Sequence, residues 1–389
     1  MVDHLQLHDL VRKLVAVDSV NPTLVPGARG EAAAAEFLRE WLKGQGIEAR
    51  LQEAASGRPN VVAWLGPQPA QPTGEKPRAA LAILAHIDTV GAGDMANPFT
   101  PRERDGRLYG RGALDIKSGV AAMCAAAVAA QRDAAKFARP LLIAVVVDEE
   151  CNSIGTEALL REYSAEAAIV LEPTDLKLVV AHKGYAWFEI TTHGRAAHGS
   201  LPAEGRDAIR MMGRVLGLLD ALDKKLAQQA PHARLGCGSL HASLIRGGQE
   251  LSSYPVECRL ELERRMLPGE TEAQVEAELR AMLDGLQVRD AEFRATLRAL
   301  GSRPAYEISP DAPVAAAAAA AIQETIGSVE FAGMAAWTDT ALLAAAGIPG
   351  VVFGPCGRGL HGAEEYVELD SVTTCAEVLH KLIQRFCRG

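Results

Sequence analysis

Uninterrupted runs of Val, Ile, Leu and Ala recur along the chain and stop abruptly at charged residues. Stretches of helical character separate these runs, as at residues 31–44 and 119–132. Strands that are apolar throughout are typical of parallel sheets buried on both faces. The pattern therefore predicts an α/β domain built on parallel strands, at 80–85, 141–147, 168–171 and 350–353.

The pattern changes between residues 183 and 300, where apolar and polar positions alternate along several segments. The predicted order is β-α-β-β-α-β, which is typical of a ferredoxin-like unit with two helices on one face of a four-stranded sheet. The apolar strand at 350–353 then resumes the first pattern. We therefore expect a domain made of residues 1–182 and 301–389, with residues 183–300 inserted into it, and we expect the Pro-rich stretch 67–77 to be an exposed connection.

The net charge and the lengths of the apolar runs limit the kinds of partner that we expect for the chain. The chain has 389 residues, and 40 basic against 49 acidic side chains give a net charge of −9, which argues against nucleic acid or an anionic membrane as the principal partner. The longest apolar run, 120–130, is shorter than the roughly 18 residues of a membrane span. We expect neither a membrane segment nor a signal peptide, because charged residues interrupt the first twenty positions.

The number and spacing of the cysteines indicate the redox state of the compartment that we expect for the protein. There are seven, an odd number, and none forms a C-x-x-C pair. Scattered single cysteines in a long chain are typical of reduced thiols, so we expect a cytoplasmic enzyme.

Acidic and imidazole side chains follow the predicted strands of the first domain. Because the carboxyl ends of strands in an open α/β sheet meet at one edge, we expect these side chains to lie close together. Such a cluster of like charges is costly unless it is protonated or bound to metal. Imidazole with carboxylate oxygens suits Zn, with Mn and Co as alternatives, and a second ion would share a bridging carboxylate. The residues are His86, Asp88, Asp115, Asp148, Glu149, Glu150, Glu172 and His361.

Several of these residues also have simpler interpretations. The acidic run after residue 147 could be a solvated loop, and Asp115 could simply cap a helix. Cys356 and His361 could form a nucleophile pair, but that would leave the carboxylates unexplained. The stretch GAGDMA is followed by Asn97 and Pro98, which cannot open the helix that a dinucleotide-binding turn needs. A G-x-S-x-G serine nucleophile motif does not occur in the sequence.

The chain resembles the metallopeptidase and deacylase family of acetylornithine deacetylase, succinyl-diaminopimelate desuccinylase and glutamate carboxypeptidase. The motifs that carry the resemblance extend over nearly the whole chain: AHIDTV, YGRGALDIKSG, VVVDEE, LEPT, GRAAHGSLPAEGRDAI, ERRMLPGE, and GIPGVVFGP followed by LHGAEEYV. The resemblance implies a mixed, mostly parallel catalytic sheet with helices on both faces, plus an inserted ferredoxin-like α+β lid and dimerisation domain.

The resemblance also implies roles for individual residues. One divalent ion would bind His86, Asp115 and Glu172, and the other Asp115, Glu150 and His361, so that Asp115 bridges them. Glu149 would be the general base, and Asp88 would accept the other ring N–H of His86. His198 would stabilise the oxyanion, and Arg265 would bind the substrate carboxylate, although Arg265 also fits an ordinary solvated strand face and His198 could be satisfied within its own domain. Ser252 stands where many deacylases have a substrate-contacting Asn.

From these residues we expect a metal-dependent hydrolase that cleaves the amide bond of N-acyl amino acids. The alternatives are a carboxypeptidase or dipeptidase of the same family and, more remotely, a metal-free binding protein on the same fold. The expected partners are two divalent ions, a small N-acyl amino acid or short peptide, and a second copy of the chain bound through the inserted domain.

Overall fold

The computed structural model describes residues 1–68, 76–133 and 137–388, so most of the proline-rich connection predicted at 67–77 lies outside the described residues. The chain divides into two units. The first consists of Met1–Val180, Ile308–Ala332 and Thr338–Gly389, and the second consists of Ala181–Glu307 with Gly333–Trp337.

Regular elements account for most of the described chain. The helices are α1 (His4–Val15), α2 (Ala32–Gly44), α3 (Ser118–Arg132), α4 (Ile154–Glu162), α5 (Ala208–Ala227), α6 (Glu272–Arg289), α7 (Pro313–Ile326), α8 (Thr340–Ala345) and α9 (Leu369–Cys387). The strands are β1 (Ala49–Ala55), β2 (Arg58–Leu65), β3 (Arg78–Ala79), β4 (Leu81–His86), β5 (Arg102–Arg104), β6 (Arg107–Tyr109), β7 (Leu141–Val146), β8 (Ser164–Ala165), β9 (Ala168–Leu171), β10 (Leu178–His182), β11 (Gly184–His193), β12 (Ser239–Gly247), β13 (Glu257–Met266), β14 (Ala295–Arg303), β15 (Tyr306–Glu307), β16 (Phe331–Met334), β17 (Gly350–Phe353), β18 (Gly357–Arg358) and β19 (Tyr366–Glu368).

The predicted apolar runs form the centre of the first unit's sheet. Strands β7, β4, β9 and β17 lie side by side and parallel, and every one of their residues is buried. β2 joins β7 antiparallel, β1 joins β2, and β10 joins β17 antiparallel. The α/β fold with a mixed sheet is therefore confirmed, and full burial explains why these strands show no alternation of polar residues.

Helices cover this sheet on both faces, because its apolar faces would otherwise be exposed to water. Helix α3 packs against α1 and α9, α9 also packs against α7, and α4 packs with α8. The stretch Ala113–Arg132 is long and apolar enough to span a membrane by length and composition, but 94% of its most apolar window is buried inside the protein. It is a core helix, and its alanines let the neighbouring helices approach closely.

The second unit has the predicted β-α-β-β-α-β order. Its antiparallel sheet has the order β12-β13-β11-β14, and α5 and α6 bury their apolar sides against one face of it, around Phe188, Leu260 and Leu279. Both helices begin at a side-chain cap: Asp207 accepts the backbone N–H of Arg210, and Thr271 forms a reciprocal capping box with the third residue of α6.

The structure moves the predicted limits of the insertion, 183 and 300, outward. The second unit extends from Ala181 to Glu307, and at this limit Ala181 and His182 pair with Glu307 and Tyr306 in an antiparallel ladder. The segment Gly333–Trp337 also belongs to it, and the sequence pattern gave no indication of this. These strands are two to five residues long, too short for a periodicity to be recognised.

Replacing either of two glycines of the second unit by alanine should change the free energy of unfolding, in opposite directions. Gly213 lies within α5, and a Cβ there would meet nothing within 4 Å, so Gly213→Ala should raise the free energy of unfolding by about 0.5–1 kcal/mol. Gly194→Ala should lower it by about 1–3 kcal/mol, because the new Cβ would lie 2.2 Å from the carbonyl oxygen of Arg206. Urea unfolding of both variants beside the unmodified protein measures the difference. Equal effects of the two substitutions would contradict this packing.

Candidate metal centre

The ends of three parallel strands bring the candidate ligands to one edge of the first unit's sheet. His86 is the last residue of β4, the acidic run 148–150 follows β7, and Glu172 follows β9. The remaining candidates come from loops. Asp115 lies in the irregular turn Ala113–Lys117 just before α3, and His361 lies between β18 and β19 in a left-handed backbone conformation with φ of +58°.

Five of these side chains form two triplets that share one carboxylate. The first triplet is His86, Asp115 and Glu172, and the second is Asp115, Glu150 and His361. Within each triplet the nearest ligand atoms lie within 4.8 Å of one another. The two oxygens of Asp115 divide between the triplets: Oδ1 lies 3.2 Å from Nε2 of His86, and Oδ2 lies 3.3 Å from Nε2 of His361.

Electrostatics in the triplets is dominated by burial and by the crowding of acids. Burial alone would lower the pKa of His86, but the hydrogen bond with Asp115 and the nearby carboxylate of Asp88 raise it well above its ordinary value. Hydrogen bonds with Asp115 and Glu150 raise the pKa of His361 to about 10. The pKa of the Asp115 carboxyl is held well below its usual range by the same two imidazoles, in spite of its burial.

The other carboxyl groups respond in the opposite direction. Burial, followed by the charge of Glu172, raises the pKa of Glu149 well above its ordinary value. Burial raises the pKa values of Glu150 and Glu172 as well, and in both cases the Asp115 charge adds to the effect. Glu149 belongs to neither triplet, and its Oε2 lies 4.0 Å from Nε2 of His86. A nearby positive charge would stabilise the ionised forms of these buried carboxyl groups.

The donor set fits divalent cations. It combines imidazole nitrogens with carboxylate oxygens, which are the ligands of Zn, Mn and Co sites. In addition, Oε1 of Glu150 is buried and accepts no hydrogen bond from any described residue. A buried carboxylate oxygen without a partner is costly, and a cation at this position would satisfy it.

Asp88 faces Nδ1 of His86 with its backbone carbonyl as well as with its carboxylate. The ring Nδ1 of His86 lies 2.9 Å from the backbone carbonyl oxygen of Asp88 and 3.6 Å from its carboxylate Oδ1, so the carbonyl is the hydrogen-bond acceptor. The Asp88 carboxylate instead accepts the backbone N–H groups of Glu149 and Glu150, each at 3.2 Å. It therefore orders the turn after β7. A backbone carbonyl is an equally good partner for fixing the imidazole tautomer.

Glu365 is a functional residue that the sequence reasoning missed. Its buried carboxylate accepts the backbone N–H groups of Gly112, Leu114 and Asp115 at 2.8–3.1 Å, and it forms a buried ion pair with Arg111 at 2.6 Å. The irregular turn that presents Asp115 is thereby held to the loop that carries His361. The residue lies inside the motif LHGAEEYV, which was the available signal, but nothing in the motif revealed which segment it would contact.

The second unit contains the other predicted site residues. His198 and Ser252 lie on adjacent loops, because the backbone N–H of Gly199 donates to the carbonyl oxygen of Ser252 at 2.7 Å. Arg265 lies on the sheet face opposite the helices, where its guanidinium pairs with Glu263 at 2.6 Å and stacks over the ring of Tyr185. The solvated-face interpretation of Arg265 is thus compatible with its position, and so is a role in binding an anion.

Comparison with known proteins assigns the chain to a family. Residues 82–385 match the model of peptidase family M20/M25/M40. The chain belongs to this family. It is 30% identical over 399 residues to an acetylornithine deacetylase of Myxococcus xanthus, with 98% of each chain covered. The family resemblance carried by the motifs is confirmed, and the chain is a hydrolase of the metallopeptidase class.

Solved structures share the fold. A tripeptidase from Staphylococcus aureus subsp. aureus Mu50 superposes with a TM-score of 0.78 at 20% identity, with 99% of each chain covered. A dinuclear metal-binding peptidase of the M20 family from Bacillus subtilis superposes with a TM-score of 0.73 at 17% identity, with 97% of each chain covered. At these identities the likeness shows a common architecture.

The position of Glu365 predicts its effect on metal binding. Glu365→Gln keeps the size of the side chain but sets an amide N–H₂ among three backbone donors, so the turn that carries Asp115 should loosen. We expect the affinity for Zn²⁺ to fall about 10- to 100-fold, the range typical of residues that orient metal ligands. Calorimetric titration of metal-free protein measures this. Glu364→Gln, at the exposed neighbouring position, is the matched control, and equal affinities of the two variants would contradict the role of Glu365.

Proposed function

We propose that this hydrolase removes the acyl group from N-acyl amino acids, using two divalent ions. The observation that carries the proposal is the pair of triplets that share Asp115, with the separate carboxylate of Glu149 beside them. The similarity to acetylornithine deacetylase over 98% of both chains supports a deacylase rather than another amide hydrolase.

In this proposal His86, Asp115 and Glu172 hold one ion, and Asp115, Glu150 and His361 hold the other. Zn is the preferred ion, with Co or Mn as alternatives, since the same ligands accept all three. Bound ions of this kind make a water more acidic and attract the electrons of a carbonyl oxygen. Asp115 offers one oxygen to each triplet, so it would be shared by both ions.

Glu149 is proposed as the general base. It takes a proton from the attacking water and gives it to the nitrogen of the leaving amine, so the protein supplies both proton transfers with one carboxylate. Its Oε2 lies 4.0 Å from Nε2 of His86, beside the triplets but in neither of them, so it is free to exchange a proton. Asp88 assists by holding the backbone of the turn on which Glu149 lies.

His198 is proposed to donate a hydrogen bond to the oxyanion that develops on the substrate carbonyl. Its Nδ1 accepts the backbone N–H of Ser200 at 3.2 Å. With Nδ1 accepting this hydrogen bond, Nε2 is the ring nitrogen that remains to donate. Arg265 is proposed to bind the substrate carboxylate through its planar guanidinium, and Ser252 to contact the substrate next to His198.

A peptidase of the carboxypeptidase or dipeptidase kind is the second candidate. The fold shared with the Staphylococcus aureus tripeptidase favours it, because the same catalytic arrangement cleaves either kind of amide. The two candidates differ only in the group that occupies the acyl side of the scissile bond.

We further propose a cytoplasmic homodimer. Strand β12 is an edge strand of the second unit's sheet, and it exposes Leu244 and Ile245 by 50% and 54%. A long edge with exposed apolar side chains pairs readily with another strand, and a second copy of β12 is self-complementary. All seven cysteines lie in the described ranges and are unpaired, in keeping with a reducing compartment.

The function is tested with substrates and metals together. The protein is freed of metal, reloaded with Zn²⁺, Mn²⁺ or Co²⁺, and assayed against N-acetyl, N-succinyl and N-formyl amino acids beside a panel of dipeptides. We expect no turnover without metal and recovery on reloading, with higher kcat/KM for an N-acyl amino acid than for any dipeptide. Full activity in protein shown to be metal-free would refute the metal mechanism, and preference for dipeptides would favour the second candidate.

Two adjacent glutamates should give different phenotypes. Glu149→Gln should keep both metal equivalents and lower kcat at least about a hundredfold, because the base is lost while the ligands stay. Glu150→Gln should instead lose one equivalent. Elemental analysis combined with steady-state kinetics separates the two effects, and the reverse pattern would show that base and ligand had been exchanged.

Substitution of His198 should lower kcat without impairing folding. We expect His198→Ala to bind metal normally while kcat falls about 10²- to 10³-fold with a smaller change in KM. If the donor comes from the partner subunit, mixing His198→Ala with Glu149→Gln should restore part of the activity through hybrid dimers. Unchanged kcat would refute the oxyanion role, and lack of rescue in verified hybrids would refute action across the dimer.

A further inference from the structure

A buried side chain near the N-terminus, Asn21, connects the ends of two central strands. Its Nδ2 donates to Oδ2 of Asp88 at 2.8 Å and to Oδ1 of Asp148 at 3.0 Å. Asp88 follows β4 and Asp148 follows β7, and these strands are parallel neighbours. All three side chains are fully buried, so their hydrogen bonds do not compete with water.

Both residues that Asn21 contacts hold the backbone of the turn after β7, Asp88 through its carboxylate and Asp148 through its backbone carbonyl. Asp88 accepts the N–H groups of Glu149 and Glu150. Asp148 has a left-handed conformation with φ of +67°, and its carbonyl oxygen accepts the N–H groups of Asn152 and Ser153 at 3.1 and 2.6 Å. The turn that carries Glu149 and Glu150 is therefore fixed at its start and along its length.

An amide is suited to this position, because its nitrogen offers two donors and its oxygen accepts. The Oδ1 of Asn21 accepts from Nη2 of Arg58 at 3.1 Å and from the backbone N–H of Thr23 at 2.9 Å. Arg58 in turn pairs with Asp148 at 2.8 Å and with buried Glu31. An ionised carboxylate at position 21 could not donate, and an apolar side chain would remove both hydrogen bonds that the amide donates.

We propose that Asn21 is a positioning residue that holds the general base Glu149 and the metal ligand Glu150 in place through Asp88 and Asp148. The proposal rests on the proposed roles of these two glutamates and adds a residue to that site. Asn21 lies ahead of the segment 82–385 that matches the family model, so the match assigns it no part in the site.

The test uses Asn21→Asp, which preserves the shape of the side chain but replaces the donor with a third carboxylate. The repulsion should displace Asp88 and with it the turn. We expect the second equivalent of Zn²⁺ to bind about 10-fold more weakly, and kcat to fall about 10- to 100-fold with less than about a threefold change in KM. Gln45→Glu is the control: it adds the same charge at the surface and keeps the acceptor for Arg132, so both measurements should stay unchanged.

A purely structural role for Asn21 predicts something else. The melting temperature would fall, while kcat and Zn²⁺ affinity per folded molecule would equal those of the unmodified protein, and this result would overturn the proposal. If Asn21→Asp does not fold, Asn21→Ser decides, because its single hydroxyl can donate to one carboxylate only. Intermediate losses of Zn²⁺ affinity and kcat in this variant would support the proposal, and unmodified values would overturn it.

The Zn²⁺ titration separates this proposal from the proposed function. It is carried out without substrate, so a weaker second site in Asn21→Asp supports positioning even if the unmodified protein hydrolyses none of the N-acyl amino acids. Inactivity of the unmodified protein on the whole panel would contradict the function alone.

Discussion

Repulsion among buried carboxylates at one edge of the sheet is the constraint on which the rest of the first unit depends. Asp115, Glu149, Glu150 and Glu172 lie close together where parallel strands end, and burial would make their joint ionisation costly. The protein offsets this with two imidazoles within the cluster and leaves room for cations. Glu149 lies outside both triplets, and burial together with the charge of Glu172 raises its pKa well above the ordinary value.

Backbone N–H groups are the other means of offsetting this charge. Asp88 and Glu365 each accept several of them, and each thereby fixes a turn that presents a charged side chain of the cluster. Carboxylates are used here as structural supports, since an ionised oxygen binds amide donors strongly. The supporting residues and the proposed acidic ligands are therefore both carboxylates. They differ only in their neighbours, which are backbone N–H groups for the supports and the other candidate ligands for the triplets.

The sequence could predict the central strands and the edge at which the ligands meet. Fully apolar runs such as 141–147 have one physical interpretation in an α/β domain, and the acidic residues that follow them must share the carboxyl edge of a parallel sheet. The individual triplets could be named in advance only through the family resemblance. The spacing of Asp115 and His361 along the chain does not by itself determine a distance in space.

The supporting roles of Asn21 and Glu365 could not be predicted from the sequence pattern. Asn21 and Glu365 contact residues far away in sequence, and those contacts depend on loop paths that no periodicity records. The sequence also does not reveal that the backbone carbonyl of Asp88 lies closer to the ring of His86 than the carboxylate of the same residue does. The limits of the second unit moved because the pairing of His182 with Tyr306 involves strands too short to show a pattern.

The contact between Glu365 and the turn at Asp115 joins segments about 250 positions apart, with the whole second unit encoded between them. On the ribosome, the turn emerges long before the residue that orders it and before His361. A nascent chain therefore exposes this part of the acidic cluster without its C-terminal partners, and chains synthesised from the N-terminus acquire such contacts last. The complete set of candidate ligands is therefore assembled only after the last part of the chain has been synthesised.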